Sequence, residues 1–127
     1  MKLDTDGMKP LYVQISQWLE TEILSGNIQK DEKIYSQYQL AEMFNINPAT
    51  AAKGLNILAD EGILYKRRGL GMFVSPRAKE KILKRRKNDT LRQMVWEMVK
   101  EAEHLGVKEE ELLKMIREVK LEGRGEE

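Results

Sequence analysis

Residues 36–59, SQYQLAEMFNINPATAAKGLNILA, carry the pattern that decides the fold. Ser36 followed three positions later by Gln39 is a capping-box pair, able to satisfy two orphan backbone donors at a helix start. Leu40, Met43 and Phe44 then recur at three-to-four spacing, the buried stripe of a short helix. Asn45 stands where that helix must stop, and Asn tolerates the left-handed backbone such a stop uses. Asn47-Pro48 follows, an N-cap residue with proline at the first helical position, where its missing N–H is not needed. Ala51, Leu55 and Leu58 share one face of this second helix, and Gly62 ends it. Helix, tight turn, helix is the arrangement in which the second helix enters the major groove of DNA.

Working outward toward the N-terminus, residues 1–9 read as a loose, flexible arm. Pro10 opens a helix, PLYVQISQWLETEILSG, with Leu11, Ile15, Trp18, Leu19 and Ile23 on one face and Gly26 as its stop. Trp18 reads as core packing. Residues 27–35, NIQKDEKIY, form a polar loop with Ile28 and Ile34 as apolar pegs. Past the second helix, GILYKRRGLGMFVSP places strand-forming Ile63–Tyr65 and Met72–Val74 around a glycine-bearing turn, which makes a hairpin. Its tip carries Lys66, Arg67 and Arg68, three cations in a row. Such a basic hairpin is a wing that reaches phosphates or an adjacent minor groove.

Pro76 punctuates the chain, and from about Arg77 to Leu105 the pattern is helical again, ended by Gly106. Leu91, Val95, Met98, Ala102 and Leu105 form one stripe. A last helix is expected at about Lys108–Leu121, with Leu112, Ile116 and Val119 on one side, and EGRGEE should fray. Two amphipathic helices this short leave apolar surface that a second copy of the same pair covers economically. The alternative is that both pack onto the first domain. The fold class expected is therefore mainly α with a small β-hairpin: a winged helix-turn-helix domain over 10–75, then a two-helix dimerisation tail over 76–127.

Composition narrows the function. The chain has 127 residues, 41% of them hydrophobic and 34% charged, which suits one domain with a short extension. No apolar run approaches the ~20 residues that cross a bilayer, so no membrane partner is expected. MKLDTDGMKPLY lacks an apolar signal segment, and a cytoplasmic location is expected. Zero cysteines remove disulfides, thiolate zinc sites and cysteine nucleophiles. Net charge is only +1, but it is unevenly spread. Residues 65–87 hold ten basic and one acidic side chain, while residues 1–64 hold nine acidic and five basic. A basic block between acidic segments marks one polyanion-facing region. The single histidine, His104, falls at a predicted helix end where a cation suits the dipole. No triad, metal cluster or phosphate-cradling loop appears, so neither an enzyme nor a cofactor is expected.

From Pro10 to Val74 the chain resembles the winged-helix DNA-binding domain of the GntR family of bacterial transcription regulators. The matching landmarks are PLYVQI, EILSG, QLAEMFNI, LNILADEGIL and RRGLGMFVS, in order and at the right spacing. The remaining residues look like the short two-helix dimerisation tail of the family's YtrA-like branch. That resemblance implies a dimeric repressor, of the kind that often controls operons for ABC-type transporters. It also implies that Asn47 and Thr50 contact phosphates or base edges, and that Gly69 brings the wing to the minor groove with Arg68 beside it. Arginines that many family members use to read guanines are replaced here by Tyr38, Pro48 and Ala52. Exposure on the expected reading face adds Tyr38, Gln39 and Lys53, with Gln39 also engaged in capping. The candidate DNA contacts are Gln37, Tyr38, Asn47, Thr50, Lys53, Lys66, Arg67, Arg68 and Gly69. The expected partners are double-stranded operator DNA and a second copy of the chain. The short tail leaves little volume for a ligand cavity, so an unidentified small-molecule effector would have to bind at the dimer seam or between the two domains. The competing reading is a winged-helix protein-interaction module that does not bind DNA.

Overall fold

The computed structural model of the protein describes residues 3–5 and 7–126. Its elements are α1 (Leu11–Leu24), α2 (Gln37–Phe44), α3 (Pro48–Asp60), β1 (Leu64–Arg67), β2 (Gly71–Val74), α4 (Ala78–Arg85), a π-helical segment (Arg86–Leu91), α5 (Arg92–His104) and α6 (Glu109–Glu126). They divide into two compact units, residues 1–85 and 86–127.

In the first unit the local signals form as the sequence dictates. Ser36 Oγ accepts the Gln39 N–H at 3.1 Å, and Gln39 Oε1 accepts the Ser36 N–H at 2.8 Å. Asn45 closes α2 in the left-handed region with φ 54°. Asn47 Oδ1 accepts the Ala49 N–H at 2.8 Å and starts α3 with Pro48 behind it. The stripes of α1, α2 and α3 then meet in one core with Ile15, Leu19, Leu40, Ala51 and Leu58 fully buried. Each such large aliphatic chain contributes about 1.5–3 kcal/mol of transfer free energy. Trp18 packs edge-on against Phe44, ring centroids 5.0 Å apart, as core packing requires.

The hairpin pairs Leu64 with Val74 and Arg67 with Gly71, antiparallel. Leu64 and Val74 seal its base into the core, leaving the tip exposed.

Several expectations need correction. Residues 27–35 are not all loop: Lys33 bridges Phe73 in antiparallel register, so the extended segment 31–34 adds a short third rung beside β2. The pegs Ile28 and Ile34 are buried as expected. The described part of the arm is tied down. Gln14 accepts the Asp4 N–H at 2.7 Å and donates to the Asp4 and Lys9 carbonyls at 2.7 and 3.0 Å, while Leu3 packs against the core. Residues 1, 2 and 6 of that arm lie outside the described residues. The first unit also continues ten residues past the expected boundary at Ser75, because Ala78 and Ile82 of α4 are buried in its core. Arg85 at the end of α4 donates to both Glu20 of α1 and Glu61 at the C-cap of α3. That guanidinium supplies Glu20, only 2% exposed, with the paired, hydrogen-bonded partner that a buried charged side chain needs. Its pKa is raised despite partial desolvation, because both carboxylates favour the charged form.

In the second unit the helical run expected from 77 to 105 is interrupted by the π-helical segment. α5 ends in a Schellman turn: Val107 N–H bonds the Ala102 carbonyl at 2.8 Å and Gly106 takes φ 71°. α6 continues through Glu126 where fraying was expected. Gly123 weakens a helix by about 1 kcal/mol relative to Ala but keeps its ladder hydrogen bond, unlike proline. Glu127 lies outside the described residues.

Candidate nucleic-acid interface

α3 is the element on which the surface is built. Its buried face is Ala51, Gly54, Leu55 and Leu58, so the opposite side, with Lys53 and Asn56, faces solvent. The first turn presents Asn47, exposed, and Thr50, half-buried. Asn47 uses its side-chain carbonyl oxygen for capping, so its amide N–H groups are not taken up by the cap.

The wing tip follows from two glycines. Leu70 N–H bonds the Arg67 carbonyl at 2.9 Å, closing a four-residue turn. Gly69 is its third residue with φ 78°, the sign a type II turn requires there. Gly71 follows with φ 113°. Lys66, Arg67, Arg68 and Gly69 are all exposed. Arg67 and Tyr65 lie on the outer face of the hairpin, each against Phe73: the Arg67 guanidinium is 5.2 Å from the ring centroid and the Tyr65 ring 5.8 Å. Tyr65 in turn donates to Asp31 Oδ1 at 2.8 Å. That hydrogen bond raises the phenol pKa, helped by desolvation and the Asp31 charge.

Between wing and α2 runs a cleft of about 390 Å³. Gln37 and Tyr38 line one wall, and Lys66, Arg67, Arg68 and Gly69 the other. Ile34, Leu55 and Met72 contribute apolar lining, and no carboxylate lines it. Six of the nine candidate contacts therefore surround one cleft. Tyr38 stands 70% exposed at its edge, whereas Gln37 is half-buried. Asn47 and Thr50 lie outside the cleft lining, on the first turn of α3. Lys53 is drawn elsewhere: its ammonium sits 4.0 Å above the Tyr12 ring of α1. Lys33, which the sequence leaves in a polar loop, joins the cleft rim. Its signal was the apolar-polar alternation at Lys33-Ile34, which is too short to read as a strand.

The family model "Bacterial regulatory proteins, gntR family" matches residues 11–74, from the start of α1 to the end of the wing. The chain belongs to this family. It is 28% identical over 125 residues to the HTH-type transcriptional repressor YtrA of Bacillus subtilis, covering 98% of this chain and 95% of that one. It is 36% identical over 83 residues to the HTH-type transcriptional repressor NagR of Bacillus subtilis. That match covers 65% of this chain and only 34% of NagR, so the chain spans about a third of that relative. Among solved structures, AraR(DBD) in complex with operator ORX1 superposes with a TM-score of 0.56 at 29% identity, over 59% of this chain and 95% of that one. The resemblance carried by PLYVQI and the landmarks after it thus holds, and the near full-length match to YtrA supports the short branch. Members of this family are transcription regulators, not enzymes.

The second unit bears the other candidates. Among its described side chains Ala102 is buried, and Met98 and Leu112 are half-buried. Leu91, Val95, Leu105, Ile116 and Val119 are exposed, Leu105 by 70% and Val119 by 65%. α5 and α6 flank an apolar trench of about 460 Å³, lined by Val95, Met98, Ala102, Leu112 and Ile116 among others. Among the described residues, no helix is long and apolar enough to cross a membrane.

Proposed function

We propose that this chain is a dimeric, sequence-specific DNA-binding repressor. The observation that carries the reading is the surface formed by α3 and the wing: the polar side of α3 is open, and the adjoining cleft has cations on its rim and no carboxylate. α3 enters the major groove with Asn47 and Thr50 nearest the bases and phosphates. The wing follows the backbone, Arg68 beside Gly69 at the minor groove and Lys66 and Arg67 on phosphates. Phosphate contacts supply much of the affinity and little sequence information. Gln37 and Tyr38 carry readout from the α2 side, and Lys53 does so on leaving Tyr12. AraR(DBD), which resembles residues of the first unit, is solved with operator DNA, and that supports this mode.

Residues 86–127 form the dimer. Leu91, Val95, Met98, Leu105, Leu112, Ile116 and Val119 meet the same face of a second copy, with Ala102 packed beneath them. The YtrA-like resemblance supports a transporter-type operon as the target and the cytoplasm as the place of action.

The test is binding of a labelled duplex as salt is raised. Losing one phosphate contact shallows the log–log slope by about 0.9. Arg67→Ala and Arg68→Ala should each do so once per protomer, and an unchanged slope in both removes the wing from the interface. Thr50→Ala should weaken binding to the selected site; equal affinity removes Thr50. Capture of a protein, with no duplex retained at low salt, would favour the interaction-module alternative.

A further inference from the structure

The segment 31–34 is anchored more firmly than a connection needs to be. Asp31 N–H bonds the Val74 carbonyl at 2.7 Å, Val74 N–H the Glu32 carbonyl at 3.0 Å, and Ile34 N–H the Met72 carbonyl at 2.9 Å. Ile34 is buried beneath it, and Tyr65 pins Asp31 from the wing. Lys33, the residue between, is exposed and directly opposite Phe73. Paired residues of an antiparallel ladder share a face, so Lys33 stands on the face that carries Arg67 and Phe73.

Its stem crosses Gly71. A Cβ at residue 71 would stand 2.9 Å from Lys33 Cε, closer than carbon atoms approach without displacement. The φ of 113° is what calls for glycine at 71, and the flexible end of Lys33 uses the open space that the missing Cβ leaves. The two carboxylates beside Lys33 are directed elsewhere: Asp31 accepts from Tyr65, and Glu32 Oε1 accepts the Gln29 N–H at 3.1 Å. Among the described residues no carboxylate forms an ion pair with Lys33. Lys33 is one of the residues lining the cleft that Lys66, Arg67, Arg68 and Gly71 also line, and its ammonium lies beside Gly71, 3.7 Å from where a Cβ would stand.

We infer that Lys33 is a further DNA-contacting residue, gripping a backbone phosphate of the duplex from the strand beside the wing. The inference rests on the proposed DNA-binding function and adds a contact from a segment outside both the helix-turn-helix and the wing. A phosphate at that cleft meets cations from two directions, one from the wing tip and one from the 31–34 rung. The contact is electrostatic and independent of base sequence, so Lys33 sets affinity and orientation more than specificity.

The experiment measures anisotropy of a labelled mixed-sequence duplex against salt for the full chain. Lys33→Met keeps the stem over Gly71 and removes the charge. It should shallow the slope by about 0.9 per bound protomer, with the thermal midpoint unchanged. Lys33→Arg should retain the wild-type slope. Lys30→Met, outside the cleft, should retain it too. A Lys33→Met slope equal to wild type, while Arg68→Ala is shallower, overturns the role of Lys33 and leaves the DNA-binding reading intact. A Lys33→Arg slope as shallow as Lys33→Met, or the same loss in Lys30→Met, also overturns it. Failure of the wild-type chain to hold duplex at low salt overturns both readings together.

Discussion

Replacing Gly54 by alanine sets two magnitudes against each other at the place where the recognition helix crosses α1. Alanine is favoured over glycine in a helix interior by about 1 kcal/mol, so propensity alone predicts a more stable protein. Gly54, however, is on the buried face of α3. A Cβ there would stand 2.9 Å from the Tyr12 backbone oxygen, 2.9 Å from Ile15 Cγ2 and 3.1 Å from Ile15 Cβ. Overpacking a well-filled core costs about 1–3 kcal/mol. The upper half of that range applies, because the obstacles are a backbone carbonyl and a fully buried β-branched residue with one dominant helical rotamer. Neither can turn aside, so α1 and α3 must separate. The net expectation for Gly54→Ala is a loss of about 1–2 kcal/mol. Urea unfolding at one fixed protein concentration reads this as a lower midpoint with an unchanged slope. A midpoint that rises would refute the close approach of the two helices, and with it the way α3 is held out from the core.

Asn47→Asp separates capping from recognition: the carboxylate still accepts the Ala49 N–H, so the thermal midpoint should hold while duplex affinity falls, and equal affinity would exclude Asn47 from the phosphate contacts. Ser36→Ala removes the acceptor for the Gln39 N–H and should cost about 1 kcal/mol in thermal unfolding, whereas no loss would contradict the capping box. Tyr65 has a folded-state pKa above its ordinary 10.0, so the stability it contributes is present below pH 10 and lost as pH rises through the raised value. The difference in tyrosinate absorbance between the wild type and Tyr65→Phe should give that elevated midpoint, and Asp31→Asn should lower it; equal midpoints would deny the Tyr65–Asp31 bond. Ile116→Lys places a charge in the trench between α5 and α6 and should shift sedimentation to the mass of one chain, while an unshifted dimer would put the contact elsewhere.

What was legible in the sequence was local. Ser36 with Gln39, and Asn47 with Pro48, act within one helical turn, so their chemistry can be read from neighbours in the chain. The wing was legible for the same reason, because Gly69 and Gly71 lie between two short β-forming runs. Contacts that join distant residues were not. Lys33 reads as part of a polar loop until β2 arrives forty residues later to pair with it. Gln14 is an ordinary helix residue until it clasps the Asp4 backbone. The boundary at residue 85 was hidden because 77–105 contains no glycine or proline to break the helix, and the polar run 84–90 reads as a solvated helical face. Only packing shows that Ala78 and Ile82 are buried in the first core while Leu91 and Val95 stay exposed. Arg85 belongs to the same class, since its carboxylate partners come from 65 and 24 residues away.

Selection of bound duplexes from a random pool tests the central claim most directly. Two copies of α3 related by a two-fold axis should enrich an inverted repeat whose half-sites lie about 10–10.5 base pairs apart, or a multiple of one turn. A pool that stays random after repeated rounds at low salt would contradict the account.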